Sequence, residues 1–188
     1  MDRSNIIVVY PGRFQPFHKG HEYLVEKAHE FAITHGLNVV IAIGSAQAGY
    51  EPDNPWTSEE RLDMIQQWCK NTNIDVQCVC IDDINDEQRW VEYAGTIHGE
   101  GVLVTSNEPT ATLYEREGKM VQRVELNQRD TFEGWRVRQT MKMLSTVDDQ
   151  KAIQMVLNEI LPGAITSWMI ENDALFRLST FETGVHAG

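Results

Sequence analysis

Positive charge is scarce in this chain. Its 188 residues carry 16 Lys and Arg against 28 Asp and Glu, a formal net charge of −12 at pH 7. A surface that acidic repels nucleic acid and anionic lipid headgroups, which argues against both as partners. An anionic ligand must then find cations gathered locally. The few that exist do recur beside informative segments: Arg13, Lys19, Arg61, Arg136 and Arg138. Cysteine is sparse too. Cys69, Cys78 and Cys80 make an odd number with no C-x-x-C spacing. That excludes a disulfide framework and a zinc module, and predicts buried free thiols in a reducing compartment. No apolar run approaches the ~20 residues that span a bilayer. Met1-Asp2-Arg3-Ser4-Asn5 leads straight into a strand-like segment without a secretory pattern, so a cytoplasmic protein is expected, with no membrane partner. Internal repeats, low-complexity stretches and linkers are also lacking.

What is present is an alternation. Strand-like runs recur at Ile6–Tyr10, Val39–Ile43, Val76–Ile81 and Val102–Thr105, with a weaker one at Val121–Leu126. Between them, apolar residues at helical spacing predict helices over Lys19–Ile33, Ser58–Lys70, Arg89–Ile97 and Thr110–Glu117. Thr57-Ser58-Glu59-Glu60 fits a capping box at the start of the second. This pattern predicts an α/β fold: a Rossmann-like, doubly wound parallel sheet of about five strands. Beyond Phe132 the pattern turns helical, with Trp135–Leu144 and Asp148–Leu161, then Pro162-Gly163 as a break. The division expected is a domain over 1–145 and a helical extension over 146–188. That extension contains Trp168, Met169, Ile170, Leu175, Phe176 and Leu178, and so should pack on the same domain or on a neighbouring subunit.

In a doubly wound sheet, ligands bind beyond the carboxyl ends of the strands. Four segments would meet on that rim: Gly12–His21, Gly44-Ser45-Ala46-Gln47, Asp82-Asp83 and Ser106-Asn107. The first is the most informative. Gly12-Arg13-Phe14-Gln15-Pro16-Phe17-His18-Lys19-Gly20-His21 reads as strand, loop and helix N-terminus, where unpaired N–H groups and the helix dipole receive phosphate. His18 and His21, three apart at a helix start, share a face and can both donate to phosphate oxygens, more strongly if charged. Gly20 permits close approach of the backbone. The acidic run Asp82-Asp83…Asp86-Glu87 reads as a solvated loop rather than a metal site.

The Gly12–His21 segment resembles the signature of the HxGH nucleotidylyltransferase superfamily. With Ile43–Gln47, Asn54–Arg61, Ile81–Ile84, Trp90–Tyr93, Ser106-Asn107 and Gly134-x-x-x-Arg138, the chain is similar to archaeal-type nicotinamide-nucleotide adenylyltransferases over residues 5 to 145. The resemblance implies AMP transfer from ATP to nicotinamide mononucleotide, giving NAD and pyrophosphate with Mg²⁺ carried by the ATP phosphates. It implies that Arg13, His18 and His21, in the Gly12, Phe14 and Gly20 loop, hold the ATP phosphates. Arg138 would hold the β- and γ-phosphates, assisted by Arg136. Asn107 would read the adenine or ribose. Ser45, Gln47, Trp56, Asp83 and Trp90 would form the mononucleotide side, the indoles offering faces to a cationic pyridine. A homo-oligomer is also implied. One block departs from the family's Ser-Gly-Thr-x-x-Arg: here it is Glu133-Gly134-Trp135-Arg136-Val137-Arg138. Two alternatives stand beside this reading. One is the same transfer to nicotinate mononucleotide, FMN or phosphopantetheine; the other is a non-catalytic ATP- or NAD-sensing domain.

Overall fold

A computed structural model of the chain describes residues 6–127 and 129–181. The Met1–Asn5 segment, on which the expected cytoplasmic location rested, and residues 182–188 of the expected extension lie outside the described residues. Five strands form one sheet: β1 (Ile7–Gly12), β2 (Asn38–Ile43), β3 (Gln77–Cys80), β4 (Gly101–Thr105) and β5 (Val121–Arg123). All neighbours pair in parallel, in the order β3-β2-β1-β4-β5. The chain leaves β1 in one direction and returns on its other side at β4. That reversal opens a crevice at the carboxyl ends of β1 and β4.

The helices are α1 (Lys19–His35), α2 (Ser58–Thr72), α3 (Glu87–His98), α4 (Glu108–Arg116), α5 (Gly134–Leu144), α6 (Gln150–Ile160), α7 (Gly163–Glu171) and α8 (Phe176–Thr180). Successive side chains of β1 point to opposite faces. Val8 packs with Ala28 and Ala32 of α1, and Val9 packs with Val91 and Ala94 of α3 and Tyr114 of α4. The two buried faces account for the near-continuous apolar strands. The ends of the expected helices differ from the sequence expectation by at most two residues. β5 stops at Arg123 instead of reaching Leu126.

The C-terminal helices do not build a core of their own. Leu157, Ile165, Trp168, Met169 and Leu178 share one apolar cluster with Trp56, Met64 and Trp68. The Trp168 indole N–H donates to Asp63 on α2 at 2.6 Å. The Arg177 guanidinium clasps the Glu60 carboxylate at 2.6 and 2.7 Å. The cysteines correct the sequence expectation. Cys69 on α2 is only half-buried; on β3, the outer strand of the sheet, Cys78 is half-buried and Cys80 exposed. Burial still lifts the Cys69 thiol to about 11 and Cys78 to about 12, which keeps both protonated and unreactive.

Gly101 opens β4 where β1 passes closest: a Cβ there would run into the Ile7 carbonyl oxygen. Gly101→Ala is therefore expected to destabilise by about 1–3 kcal/mol, the usual range for forcing a methyl group into a packed site. Calorimetry should show a Tm lower by roughly 2–10 °C; an unchanged Tm would mean that β1 and β4 separate without penalty.

Candidate active site

The start of α1 is built by its two histidines. His18 is the N-cap, and its Nδ1 accepts from the His21 backbone N–H at 3.3 Å. The Nδ1 of His21 accepts in turn from the His18 backbone N–H at 3.3 Å. This is a reciprocal capping box with imidazoles in place of hydroxyl and carboxylate. The rings stack with centroids 3.6 Å apart and planes 20° apart. A ring whose Nδ1 accepts carries its proton on Nε2. Both histidines therefore hold an Nε2–H donor. Burial pushes His18 down to about 3, and Arg138 adds to the fall. Burial and the neighbouring His18 hold His21 well below its ordinary value. The sequence reading allowed charged histidines; the structure makes them neutral, fixed-tautomer donors. Gly20 lines a cavity and also makes room for the protein's own chain. A Cβ there would lie 2.8 Å from Cβ of Phe132 and 3.1 Å from the His18 ring. The close approach it permits is that of the protein's own 3-10 turn, Arg129–Phe132.

The loop between β1 and α1 is held from beneath by Arg61, a fully buried residue of α2. Its guanidinium donates to the carbonyls of Arg13 at 2.8 Å, Gly44 at 2.7 Å, Ser45 at 3.0 Å and Thr57 at 3.1 Å. The capping box foreseen at Thr57 is present, with Glu60 N–H to Thr57 Oγ1 at 3.3 Å and Thr57 N–H to Glu60 Oε2 at 2.9 Å. That box sets where α2 begins and so where Arg61 points. Gln15 fastens the same loop sideways, donating to the Trp56 carbonyl at 2.8 Å and accepting from the Trp56 N–H at 3.0 Å. Arg138, one turn into α5, donates to the Gln15 carbonyl at 3.0 Å and to Asp53 at 3.1 Å.

Two cavities open on this frame. A cavity of about 480 Å³ is lined by Arg13, His18, His21, Arg138 and Arg129, with Thr105, Ser106 and Asn107 at the end of β4. A second, of about 320 Å³, is lined by Ser45, Asp83, Trp90 and Leu113. They share Pro11, Gly12, Arg13 and Thr110 as a common wall. Trp90 is half-buried, with its ring edge-on to Tyr114 at 6.2 Å. The first cavity is cationic at its base. The second carries an indole and a carboxylate.

Several expected site residues lie elsewhere. Trp56 is fully buried among Phe14, Phe17 and Ile65, because Gln15 pins its backbone inward; it lines neither cavity. Gln47 uses its Oε1 to accept from the Asp83 N–H at 3.0 Å. It ties two rim loops together and lines neither cavity. Arg136 turns outward, its guanidinium 4.8 Å over the Trp135 ring and 3.7 Å from Glu133, because it sits two residues before Arg138 on the opposite side of α5. Asn107 does line the first cavity, but its Oδ1 is committed to capping α4 through the Thr110 N–H at 2.9 Å. Phe14 lines the first cavity while largely buried, with φ of 52° and its ring filling the space above Gly12. Sequence reasoning missed the anchoring roles of Gln15, Asp53, Arg129 and Phe132. It noted Arg61 only as a charge. The capping box immediately before Arg61 was the available signal, since it fixes which face of α2 that residue takes.

Among the described residues, no group of three or more His, Cys, Asp or Glu side chains is placed to hold a metal ion. The histidine Nε2 atoms carry protons and their Nδ1 atoms are occupied, so neither offers a free lone pair. Glu133 is the sole acidic side chain lining the larger cavity, and its Oε2 already accepts from the Trp135 indole at 2.6 Å. The donor set fits a divalent cation carried in by phosphates rather than one bound beforehand by the protein. Among the described residues, no helix is long and apolar enough to cross a membrane.

A doubly wound sheet with a cavity of histidines and arginines at its switch point has the ground plan of a nucleotidyltransferase. The cytidylyltransferase-like family model matches residues 9–148, and the chain belongs to that family. Its curated relatives include the nicotinamide-nucleotide adenylyltransferase of Methanolobus tindarius, 31% identical and aligned over 91% of each chain. That of Pyrococcus horikoshii is 32% identical over 95% of this chain and 90% of its own. Among solved structures, a bifunctional NMN adenylyltransferase/ADP ribose pyrophosphatase from Francisella tularensis superposes with a TM-score of 0.66 at 21% identity, over 92% of this chain. This chain spans about half of that one, 52%. A second structure of it is complexed with AMP and a manganese ion. At that identity the likeness shows a shared fold.

The histidine pair sets a pH dependence. Both folded-state pKa values lie below the unfolded ~6.5. Between those values the unfolded chain binds more protons, so stability falls as pH drops below about 6.5. The Tm is expected to fall from pH 7 to pH 5. His18→Asn, which keeps an N-cap acceptor, should flatten that fall; thermal melts that run parallel for the two proteins would contradict the neutral assignment.

Proposed function

We propose that this chain transfers AMP from ATP to nicotinamide mononucleotide, forming NAD and pyrophosphate. The observation that carries the reading is the shared wall: two cavities of different character meet at Gly12, Arg13 and Thr110. A donor nucleotide in one and an acceptor phosphate from the other would meet beside Arg13. The family supports the reaction type, and the curated relatives' names support the acceptor.

In this reading the triphosphate lies in the larger cavity. His18 and His21 donate their Nε2–H groups to its oxygens, Arg138 faces it as a cation held by Gln15 and Asp53, and Arg13 faces it as an exposed one. The mononucleotide phosphate attacks the α-phosphorus in line, and pyrophosphate leaves. No side chain acts as nucleophile; catalysis is positioning and stabilisation of developing charge. A divalent cation, Mg²⁺ in this proposal, supplies charge neutralisation on the β- and γ-oxygens. The histidines do not repel it, because they are neutral.

The second cavity favours an amide over its acid analogue. Asp83 lies on its wall and would repel a nicotinate carboxylate, whereas it accepts from a carboxamide N–H. The pyridinium of the mononucleotide suits the Trp90 face. The glutamate and tryptophan that replace the expected hydroxyls at 133 and 135 are the one feature favouring a sensor without turnover. Both line the larger cavity, but their side chains are bonded to each other and packed against Arg136.

The test is pyrophosphate release with ATP and Mg²⁺, comparing nicotinamide mononucleotide, nicotinate mononucleotide, FMN and phosphopantetheine. Release with the first, matched by NAD, is expected; release only with another acceptor would overturn the assignment of the second cavity. His21→Gln keeps a side chain able to accept from the His18 N–H and is expected to lower kcat by about 10²–10³, the range for losing one oriented donor. Trp90→Ala should raise the KM for the mononucleotide at least tenfold more than that for ATP. Equal rises would mean that Trp90 serves packing.

A further inference from the structure

Asp53 lies far in sequence from every residue assigned to the phosphates, yet it touches one of them. Its Oδ1 accepts from Arg138 at 3.1 Å. The Arg138 side chain is 10% exposed and the Asp53 side chain 81%. Arg138 lines the larger cavity and Asp53 does not, so the carboxylate that meets the guanidinium is not part of the cavity wall. The other anchor is the Gln15 carbonyl, at 3.0 Å from the second terminal nitrogen. Two acceptors from two loops thus fix the plane of the guanidinium, and its remaining N–H groups are left for phosphate oxygens. Gly134 adds a steric limit, since a Cβ there would be 3.2 Å from the same nitrogen.

The turn that carries Asp53 is itself held. Glu51 and Asn54 exchange backbone hydrogen bonds at 3.2 and 3.1 Å, and the Tyr50 N–H donates to the Pro55 carbonyl at 3.3 Å. Arg177 of α8 lies 4.4 Å over the Tyr50 ring, donates to the Pro55 carbonyl at 2.9 Å and clasps Glu60. The last helix therefore braces the turn, and the turn presents a carboxylate to Arg138. A solvent-exposed ion pair of this kind contributes only about 0–1 kcal/mol to stability. A stabilising role does not account for so braced a turn; orientation does.

We propose that Asp53 is a positioning residue for adenylyl transfer: its carboxylate oxygen holds the Arg138 guanidinium in the orientation that meets the triphosphate. The proposal rests on the adenylyl-transfer reading above. Asp53→Asn and Asp53→Ala separate orientation from charge. Both remove the negative charge, but only the asparagine oxygen can still accept from Arg138. The expected result is a kcat for Asp53→Ala about tenfold below that of Asp53→Asn, with Asp53→Asn within about twofold of wild type. The mononucleotide KM should be unchanged in both, and the Tm should stay within a few degrees. Equal kcat values for the two variants would overturn the proposal, as would a loss that follows the Tm. Binding of inorganic tripolyphosphate, measured by calorimetry, keeps the test independent of turnover. Asp53→Ala should bind it several-fold more weakly than Asp53→Asn, and equal affinities would overturn the proposal. If wild type releases no pyrophosphate, the adenylyl-transfer reading fails on its own account, while the tripolyphosphate comparison still decides the role of Asp53.

Discussion

The Arg61 guanidinium is the point on which the site is assembled. It lies fully buried and ties together three separate pieces of backbone: the loop after β1, the loop after β2, and the N-cap of α2. A cation buried without a carboxylate beside it would be costly. Here the carbonyl dipoles of Arg13, Gly44, Ser45 and Thr57 replace its hydration. Each of those carbonyls belongs to a segment with little regular structure of its own. The left-handed φ values of Phe14 and Ser45, 52° and 49°, are sustained by this clamp and by the burial of both side chains. Gly12, Arg13 and Ser45 then form walls of the two cavities. The position of the ligand space relative to the sheet is thus set from underneath, by a side chain that lines neither cavity.

Above that frame, the histidine pair combines two tasks. A helix N-terminus leaves backbone N–H groups without partners. His18 and His21 satisfy two of them through Nδ1, and the same bonds lock the tautomer. Structure and chemistry are therefore inseparable at these positions. The cap requires unprotonated Nδ1, burial enforces neutrality, and what remains is a pair of rings with Nε2–H donors lining the larger cavity. In a chain of net charge −12, this arrangement has a clear advantage. Neutral donors keep their hydrogen bonds without the desolvation penalty of a buried cation, and the guanidinium of Arg138 beside them is held by a carbonyl and a carboxylate.

The C-terminal helices extend the same logic outward. Trp168 bonds to Asp63, and Arg177 to Glu60, so α7 and α8 hold α2, which carries Arg61. Arg177 also holds the turn that carries Asp53. The described residues beyond 145 are thereby connected to both Arg61 and Arg138, without lining the larger cavity.

The sequence by itself determined the layer order and the rim. Alternating apolar strands and amphipathic helices permit little but a doubly wound sheet, and the loop from Gly12 to His21 carries its own local signal. Such features depend on neighbours a few residues apart, so periodicity and capping chemistry reveal them. Tertiary structure decided what no short-range pattern encodes. Trp56 and Trp90 are equivalent as letters, yet one is pinned inward by Gln15, 41 positions away, and the other lines a cavity. Arg136 and Arg138 stand two apart on one helix, and only the second meets the Gln15 carbonyl and Asp53. The protonation of the histidines, the partners of Arg61 and the bracing of the Asp53 turn all arise from contacts between distant segments. Burial and long-range hydrogen bonding assign those roles, and both exist only once the chain has closed on itself.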